Sequence, residues 1–138
     1  MATNVLVLGD GTGGLVAANL LARQVRRKDL QVNVRLIGNS PLHTYRPGLL
    51  FLPFRKPGYR TLADIQRRNS DCIGPGVEYL CEKITAIDPR ARTVTTDQGS
   101  HGYDWLVLAL GCRTVVDAID GLPERWGTRA HGFYTPES

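Results

Sequence analysis

Gly9-Asp10-Gly11-Thr12-Gly13-Gly14 constrains this chain more than any other segment, because it meets the spacing G-x-G-x-x-G where that spacing has a use. Ahead of it, Asn4-Val5-Leu6-Val7-Leu8 is a short apolar run, rich in β-branched residues, that reads as a strand buried on both faces. Behind it, Ala18, Leu21, Ala22 and Val25 recur at helical spacing between Gly13 and Lys28, with Arg23, Gln24, Arg26 and Arg27 on the opposite face. An amphipathic helix with a basic last turn is expected, its charge complementing the negative end of the helix dipole. Glycine-rich turns are common in isolation, but one set between a strand and a helix marks a dinucleotide cradle. Gly9 permits the tight turn, Gly11 lets a pyrophosphate approach the backbone, and Gly14 lets helix and strand pack closely. The exposed amides and the positive end of the dipole then draw phosphates.

Val32 to Ile37 is a second strand, stopped by Gly38-Asn39-Ser40-Pro41, and completes a β-α-β unit with parallel strands and a right-handed crossover. The end of that strand is where an Asp or Glu ordinarily accepts hydrogen bonds from an adenosine ribose. Here it holds Gly38-Asn39-Ser40, so Asn39 and Ser40 are the available ribose partners, as neutral groups, and no arginine stands there to favour a 2′-phosphate. His43 to Gly58 carries Pro47, Gly48, Pro53, Pro57 and Gly58 around Leu49-Leu50-Phe51-Leu52, which predicts an ordered loop with one turn of helix at most. Thr61 to Arg68 reads as a short helix, with Thr61 as N-cap and Asp64 three residues on, close to a capping box. Val77 to Ile87, Thr93 to Thr96 and Tyr103 to Leu110 read as strands separated by short turns, an antiparallel meander. The last of them is apolar on both faces and is expected to return to the parallel sheet beside the first.

Other function classes fare worse. The net charge is +4, but the basic residues fall at Arg23, Arg26 to Lys28, Arg55-Lys56, Arg67-Arg68, Arg90 and Arg92, mostly at helix ends and turns and without interleaved aromatics. They read as solvated faces, so no nucleic-acid partner is expected. No stretch approaches the roughly 20 apolar residues that span a bilayer. Met1 to Asn4 has no basic n-region and Val5 to Leu8 is too short for a signal-peptide core, so a cytoplasmic location is expected. Cys72, Cys81 and Cys112 are odd in number and contain no C-x-x-C, which predicts reduced thiols and neither a disulfide framework nor a zinc site.

Composition alone leaves NAD and FAD both open. Beyond the cradle, the chain carries a proline-rich loop, then Ile84-Thr85-Ala86-Ile87-Asp88-Pro89 in the meander, then Tyr103-Asp104-Trp105-Leu106-Val107-Leu108-Ala109-Leu110-Gly111. In that order these resemble the FAD-dependent pyridine nucleotide-disulfide oxidoreductase superfamily over nearly the whole chain. The last segment is similar to its YDxLVxATG flavin-domain motif, with Leu110 where threonine is usual. The resemblance implies an α/β, Rossmann-like FAD/NAD(P)-binding domain over residues 1–138, with a mostly parallel sheet and an antiparallel meander. It implies FAD as cofactor, held by Gly9, Gly11, Thr12, Gly13 and Gly14 at the pyrophosphate, by Asn39 and Ser40 at the ribose, and by Ala109, Leu110 and Gly111 at the later flavin motif. Lys83 and Ile84 match the strand whose backbone meets the adenine, and Arg46 and Pro47 the loop that runs along the flavin. Pro41 to Phe54 and His131 to Glu137 are similar to sulfide:quinone oxidoreductases. That likeness implies sulfide as electron donor, a quinone as acceptor and peripheral membrane contact through parts outside this segment. Type II NADH:quinone dehydrogenases share much of the pattern, and a nucleotide-binding module without turnover is the reading from a different class.

His43 and Tyr45 in the loop invite a proton-relay reading, but a structural hydrogen bond is the simpler role for such a histidine. Cys112, directly after the flavin motif, has no second cysteine placed to pair with it and reads as a small thiol. Asp10, Asp117 and Asp120 invite an acid–base reading that turn composition explains. No catalytic residue and no metal ligand is assigned. Thr135-Pro136-Glu137 is a helix start one residue before the end, so a truncated domain is expected, lacking a second nucleotide-binding domain.

Overall fold

The computed structural model describes residues 2–136, and the chain divides into two compact units. The first is built from Met1–His43 and Arg68–Gly111, the second from Thr44–Arg67 and Cys112–Ser138.

The first unit is the expected α/β domain. Strand β1 (Thr3–Leu8) leads through the glycine turn into helix α1 (Thr12–Arg27), and the chain returns as β2 (Val32–Gly38). β1 and β2 pair in parallel from Thr3 against Val32 to Leu8 against Ile37. Short strands β3 (Leu42–Thr44) and β4 (Gln66–Arg68) form a two-stranded sheet where the chain leaves and re-enters this unit. Then follow β5 (Val77–Cys81), β6 (Ile84–Asp88), β7 (Thr93–Thr96), β8 (Ser100–Gly102) and β9 (Trp105–Leu108). The main sheet runs β5-β2-β1-β9, all parallel, and β6-β7-β8 is a separate antiparallel meander.

Because successive strand side chains point to opposite faces, each central strand feeds two cores. On one face Val7, Val34 and Leu36 pack with Leu15, Ala18 and Ala22 of α1. On the other, Leu6, Leu8 and Ile37 pack with Val94 of the meander. The result is three layers, helix on sheet on meander, and it explains why Val5 to Leu8 of β1 reads as an unbroken apolar run. Leu6, Val7, Leu8, Leu36 and Ile37 are all at most 2% exposed; burying each stabilises the fold by roughly 1.5–3 kcal/mol before chain entropy is counted.

Four expectations need correction. Val77 to Ile87 is two strands, not one. β5 pairs in parallel with β2, and only after Cys81-Glu82-Lys83 does β6 enter the meander. The break is set by partners distant in sequence: the Glu82 amide donates to Gly38 O, and the Lys83 amide to the Asp97 carboxylate. The meander therefore consists of β6, β7 and β8, with Ser100–Gly102 a strand rather than the end of a turn, while β9 pairs with β1 as expected. The segment Thr61 to Arg68 holds a single 3-10 turn, Leu62–Ile65, and then extends, because Gln66–Arg68 is recruited as β4. Its start is the predicted one: the Asp64 carboxylate accepts from the amides of Arg60 and Thr61 and from the Thr61 hydroxyl, and those two amides, Thr61 first, hold its pKa below the ordinary value.

Within the second unit, Arg46–Leu50 and Leu52–Phe54 are two 3-10 turns where one at most was expected. Pro47 and Pro53 each sit in a first turn, where the fixed φ of proline suits the conformation and no amide is missed. Leu49 and Ile65 are buried there, Phe51 and Tyr59 pack ring on ring at 5.1 Å, and the Arg46 guanidinium lies 4.4 Å from the Tyr134 ring centroid. The helix start foreseen at Thr135-Pro136-Glu137 falls partly outside the described residues.

Candidate cofactor-binding site

The cradle sits where β1 ends and α1 begins. Gly9 takes φ 103°, a region that disfavours any side chain, and its amide donates to Ile37 O. A Cβ there would lie 2.6 Å from the Ala109 carbonyl carbon, so the loop after β1 and the loop after β9 touch backbone to backbone. At Gly14 a Cβ would collide with the Gly9 carbonyl oxygen, which is the close approach of helix to strand foreseen for this position. Gly11 behaves differently. It is the N-cap of α1 in extended conformation, φ −74°, and a Cβ there meets nothing within 4 Å. Helix α1 starts with no side-chain cap and no acid in its first turn. Among the described residues its first amides therefore have no intrahelical or side-chain acceptor, and the space beside Gly11 is open, as an anion site at a helix N-terminus requires. This arrangement fits a pyrophosphate.

Around the cradle, Ala109 is adjacent to both Gly9 and Gly13, a Cβ on the latter standing 3.8 Å from that of Ala109. The later motif thus meets the first, with the Ala109 amide donating to Leu8 O and Gly111 at φ 76°. Leu110, in the threonine position, is 56% exposed. Asn39 and Ser40 follow the end of β2, and the Ser40 amide donates to Asp10. Lys83 exchanges both backbone groups with Asp97, donating to its carboxylate and accepting from its amide, and Ile84 packs into the core between sheet and meander. Arg46 and Pro47 belong to the second unit.

A part-buried polar knot adjoins the cradle and is absent from the expectations above. Asp10 Oδ2 accepts three hydrogen bonds, from the Ser40 amide (3.0 Å), Asn69 Nδ2 (3.2 Å) and the Tyr79 hydroxyl (2.9 Å). Asn69 Nδ2 also donates to Ser40 O at 2.7 Å, and the Tyr79 hydroxyl lies 2.7 Å from the same oxygen, its one proton shared between two acceptors. Burial first, then the neighbouring Asp10 carboxylate, raise the Tyr79 pKa far above the ordinary phenol value, so the hydroxyl stays a donor. Asn69 is fully buried, with its Oδ1 unpartnered among the described residues. Asp10 is therefore more than a turn residue. Its signal in the sequence is the pairing of an acid inside the glycine motif with a glycine at the end of β2.

A sequence profile for pyridine nucleotide-disulphide oxidoreductases matches residues 3–134. The chain belongs to that family. The family is one of flavin-binding oxidoreductases, as the Tyr103 to Gly111 motif implied. Mouse mitochondrial sulfide:quinone oxidoreductase is 31% identical over 121 residues, covering 87% of this chain and 25% of that protein. An NADH dehydrogenase-like protein of Mycobacterium tuberculosis is 36% identical over 128 residues, covering 88% of this chain and 30% of that protein. The crystal structure of the Aquifex aeolicus sulfide:quinone oxidoreductase superposes with a TM-score of 0.65 at 32% identity, over 83% of this chain and 25% of that one. The chain thus spans between a quarter and a third of the length of these family members. Among the described residues no helix is long and apolar enough to cross a membrane, and no group of three or more acidic, histidine or cysteine side chains is arranged to hold a metal.

Proposed function

We propose that this chain binds FAD and forms the cofactor-holding part of an oxidoreductase that passes two electrons from sulfide to a quinone. The observation that carries the cofactor reading is the uncapped N-terminus of α1 opening on Gly11. The amides of Thr12, Gly13 and Gly14 hold the pyrophosphate, while the Gly9 turn and the Gly14 contact fix their direction. Asn39 and Ser40 lie at the ribose, Lys83 and Ile84 toward the adenine, and Ala109 to Gly111 along the flavin. Bound there, FAD supplies two-electron oxidation and reduction. The chain's own residues supply position and charge complementarity, and none of them is assigned a proton-transfer role. Sulfide as donor rests on likeness to the sulfide:quinone oxidoreductases, together with the Pro41 to Phe54 loop. NADH as donor is the second reading, favoured by the 36% identity to the mycobacterial NADH dehydrogenase-like protein.

The test is a titration of the purified chain with FAD, followed by flavin fluorescence and by chromatography of any nucleotide released on denaturation. Saturable FAD binding, or FAD in the released fraction, is expected. Release of NAD instead, or no binding of FAD or ADP, defeats the cofactor reading.

A further inference from the structure

The site lacks an acid where the adenosine ribose is ordinarily held, yet a carboxylate occupies the adjoining space. A Cβ placed on Gly38 would run into Cβ, Cγ and Oδ2 of Asp10. Only glycine at position 38 admits Asp10 in this orientation, so an acid at the end of β2 and an acid at position 10 exclude one another. Asp10 is aimed by three separate segments: Ser40 after β2, Asn69 after β4, and Tyr79 on β5. All three donors converge on Oδ2. Among the described residues, Oδ1 receives no hydrogen bond. A half-buried carboxylate with one oxygen tied down and the other open, flanked by Gly9 and Gly11, is a prepared acceptor.

We infer that Asp10 is the ribose-binding carboxylate of this protein, moved from the end of β2 into the glycine loop, with Oδ1 accepting from an adenosine ribose hydroxyl. Gly38 is its necessary counterpart, and Asn69 and Tyr79 are positioning residues that orient it. A carboxylate so placed also disfavours a 2′-phosphate, so the ligand class is an unphosphorylated adenosine diphosphate moiety. This inference rests on the adenine-dinucleotide reading above.

The experiment is calorimetric titration of the 138-residue chain with ADP and with 2′,3′-dideoxy-ADP. A hydrogen bond to a charged acceptor predicts that wild type prefers ADP by about tenfold or more. Asp10→Asn keeps an oxygen for the three donors and replaces Oδ1 with an amide nitrogen, so the fold persists and the preference should drop to within about threefold. Asp10→Ala with Gly38→Asp returns the acid to β2 and should restore the preference over Asp10→Ala alone. Loss of discrimination in Asp10→Asn and its recovery in the double variant support the assignment. Binding of both ligands equally by wild type, or unchanged discrimination in Asp10→Asn, overturns it while leaving the cofactor reading intact. Failure of wild type to bind ADP overturns both.

Discussion

Replacing Gly9 and Gly11 separately by alanine separates the structural glycine from the one that a ligand needs. At Gly9, alanine must hold φ near 103°, which costs about 1–3 kcal/mol for a residue with a side chain. Its Cβ must also be cleared from the Ala109 backbone, with the Leu110 Cα 3.0 Å away, and forcing extra volume into a packed site adds about 1–3 kcal/mol. The loss of chain freedom in the unfolded state returns about 0.4–1 kcal/mol. The net is a destabilisation of roughly 2–5 kcal/mol, a large share of the ~5–15 kcal/mol that holds a domain together. At roughly 3–4 °C per kcal/mol for a chain of this size, the Tm should fall by about 6–20 °C. Gly11→Ala sits at an ordinary φ with open space around it, so its stability should stay within about 0.5 kcal/mol of wild type. Its methyl instead stands in the approach to the helix amides, and ADP affinity should drop about tenfold or more. Urea unfolding and ADP titration of both variants provide the measurements. The reasoning fails if Gly9→Ala unfolds like wild type, or if Gly11→Ala binds ADP undiminished.

Tyr79→Phe removes a hydroxyl shared by Asp10 and Ser40 and should cost about 1–2 kcal/mol in urea unfolding. Glu82 accepts from the Thr96 hydroxyl at 2.6 Å and pairs with His101 at 2.7 Å; the first of these above all lowers its pKa. A depressed carboxylate stabilises the fold fully above the ordinary glutamate value of 4.5, and that contribution is lost as the pH falls through the lowered value. Glu82→Gln should therefore be less stable than wild type near neutrality, with the gap closing below about pH 4, as acid titration of unfolding would reveal. Asp64→Ala removes the acceptor for two backbone amides, so hydrogen exchange at Arg60 and Thr61 should quicken while the β1 amides stay protected.

The β1-α1-β2 unit was legible because its signals are local: an apolar run, a glycine turn and a helical period lie next to one another in the chain. β9 was legible for the same reason, since a strand apolar on both faces belongs inside a parallel sheet. What escaped depended on partners far away. No glycine or proline marks the break at Cys81-Glu82-Lys83, which is set by Gly38 and Asp97. Gln66–Arg68 continues a helical pattern until β3 claims it as a strand. Ser100–Gly102 has turn composition and becomes a strand only beside β7. In the site, the glycines could be assigned one by one, but the role of Asp10 needs Gly38, Ser40, Asn69 and Tyr79 together, and they are spread over most of the first unit.

The interleaving of the two units has a kinetic consequence. The first closes on itself with the Thr44–Arg67 excursion bridged by β3 and β4, whereas the second is stitched from that excursion and the tail from Cys112 onward. Its two halves are separated in sequence by β5, β9 and the whole meander, so bringing them together is costly in loop entropy until β5 to β9 have condensed. Refolding should accordingly be sequential. The parallel sheet around Val7 and Leu36 acquires exchange protection first, and the Arg46–Tyr134 stacking, read through tyrosine fluorescence, arrives in a later phase.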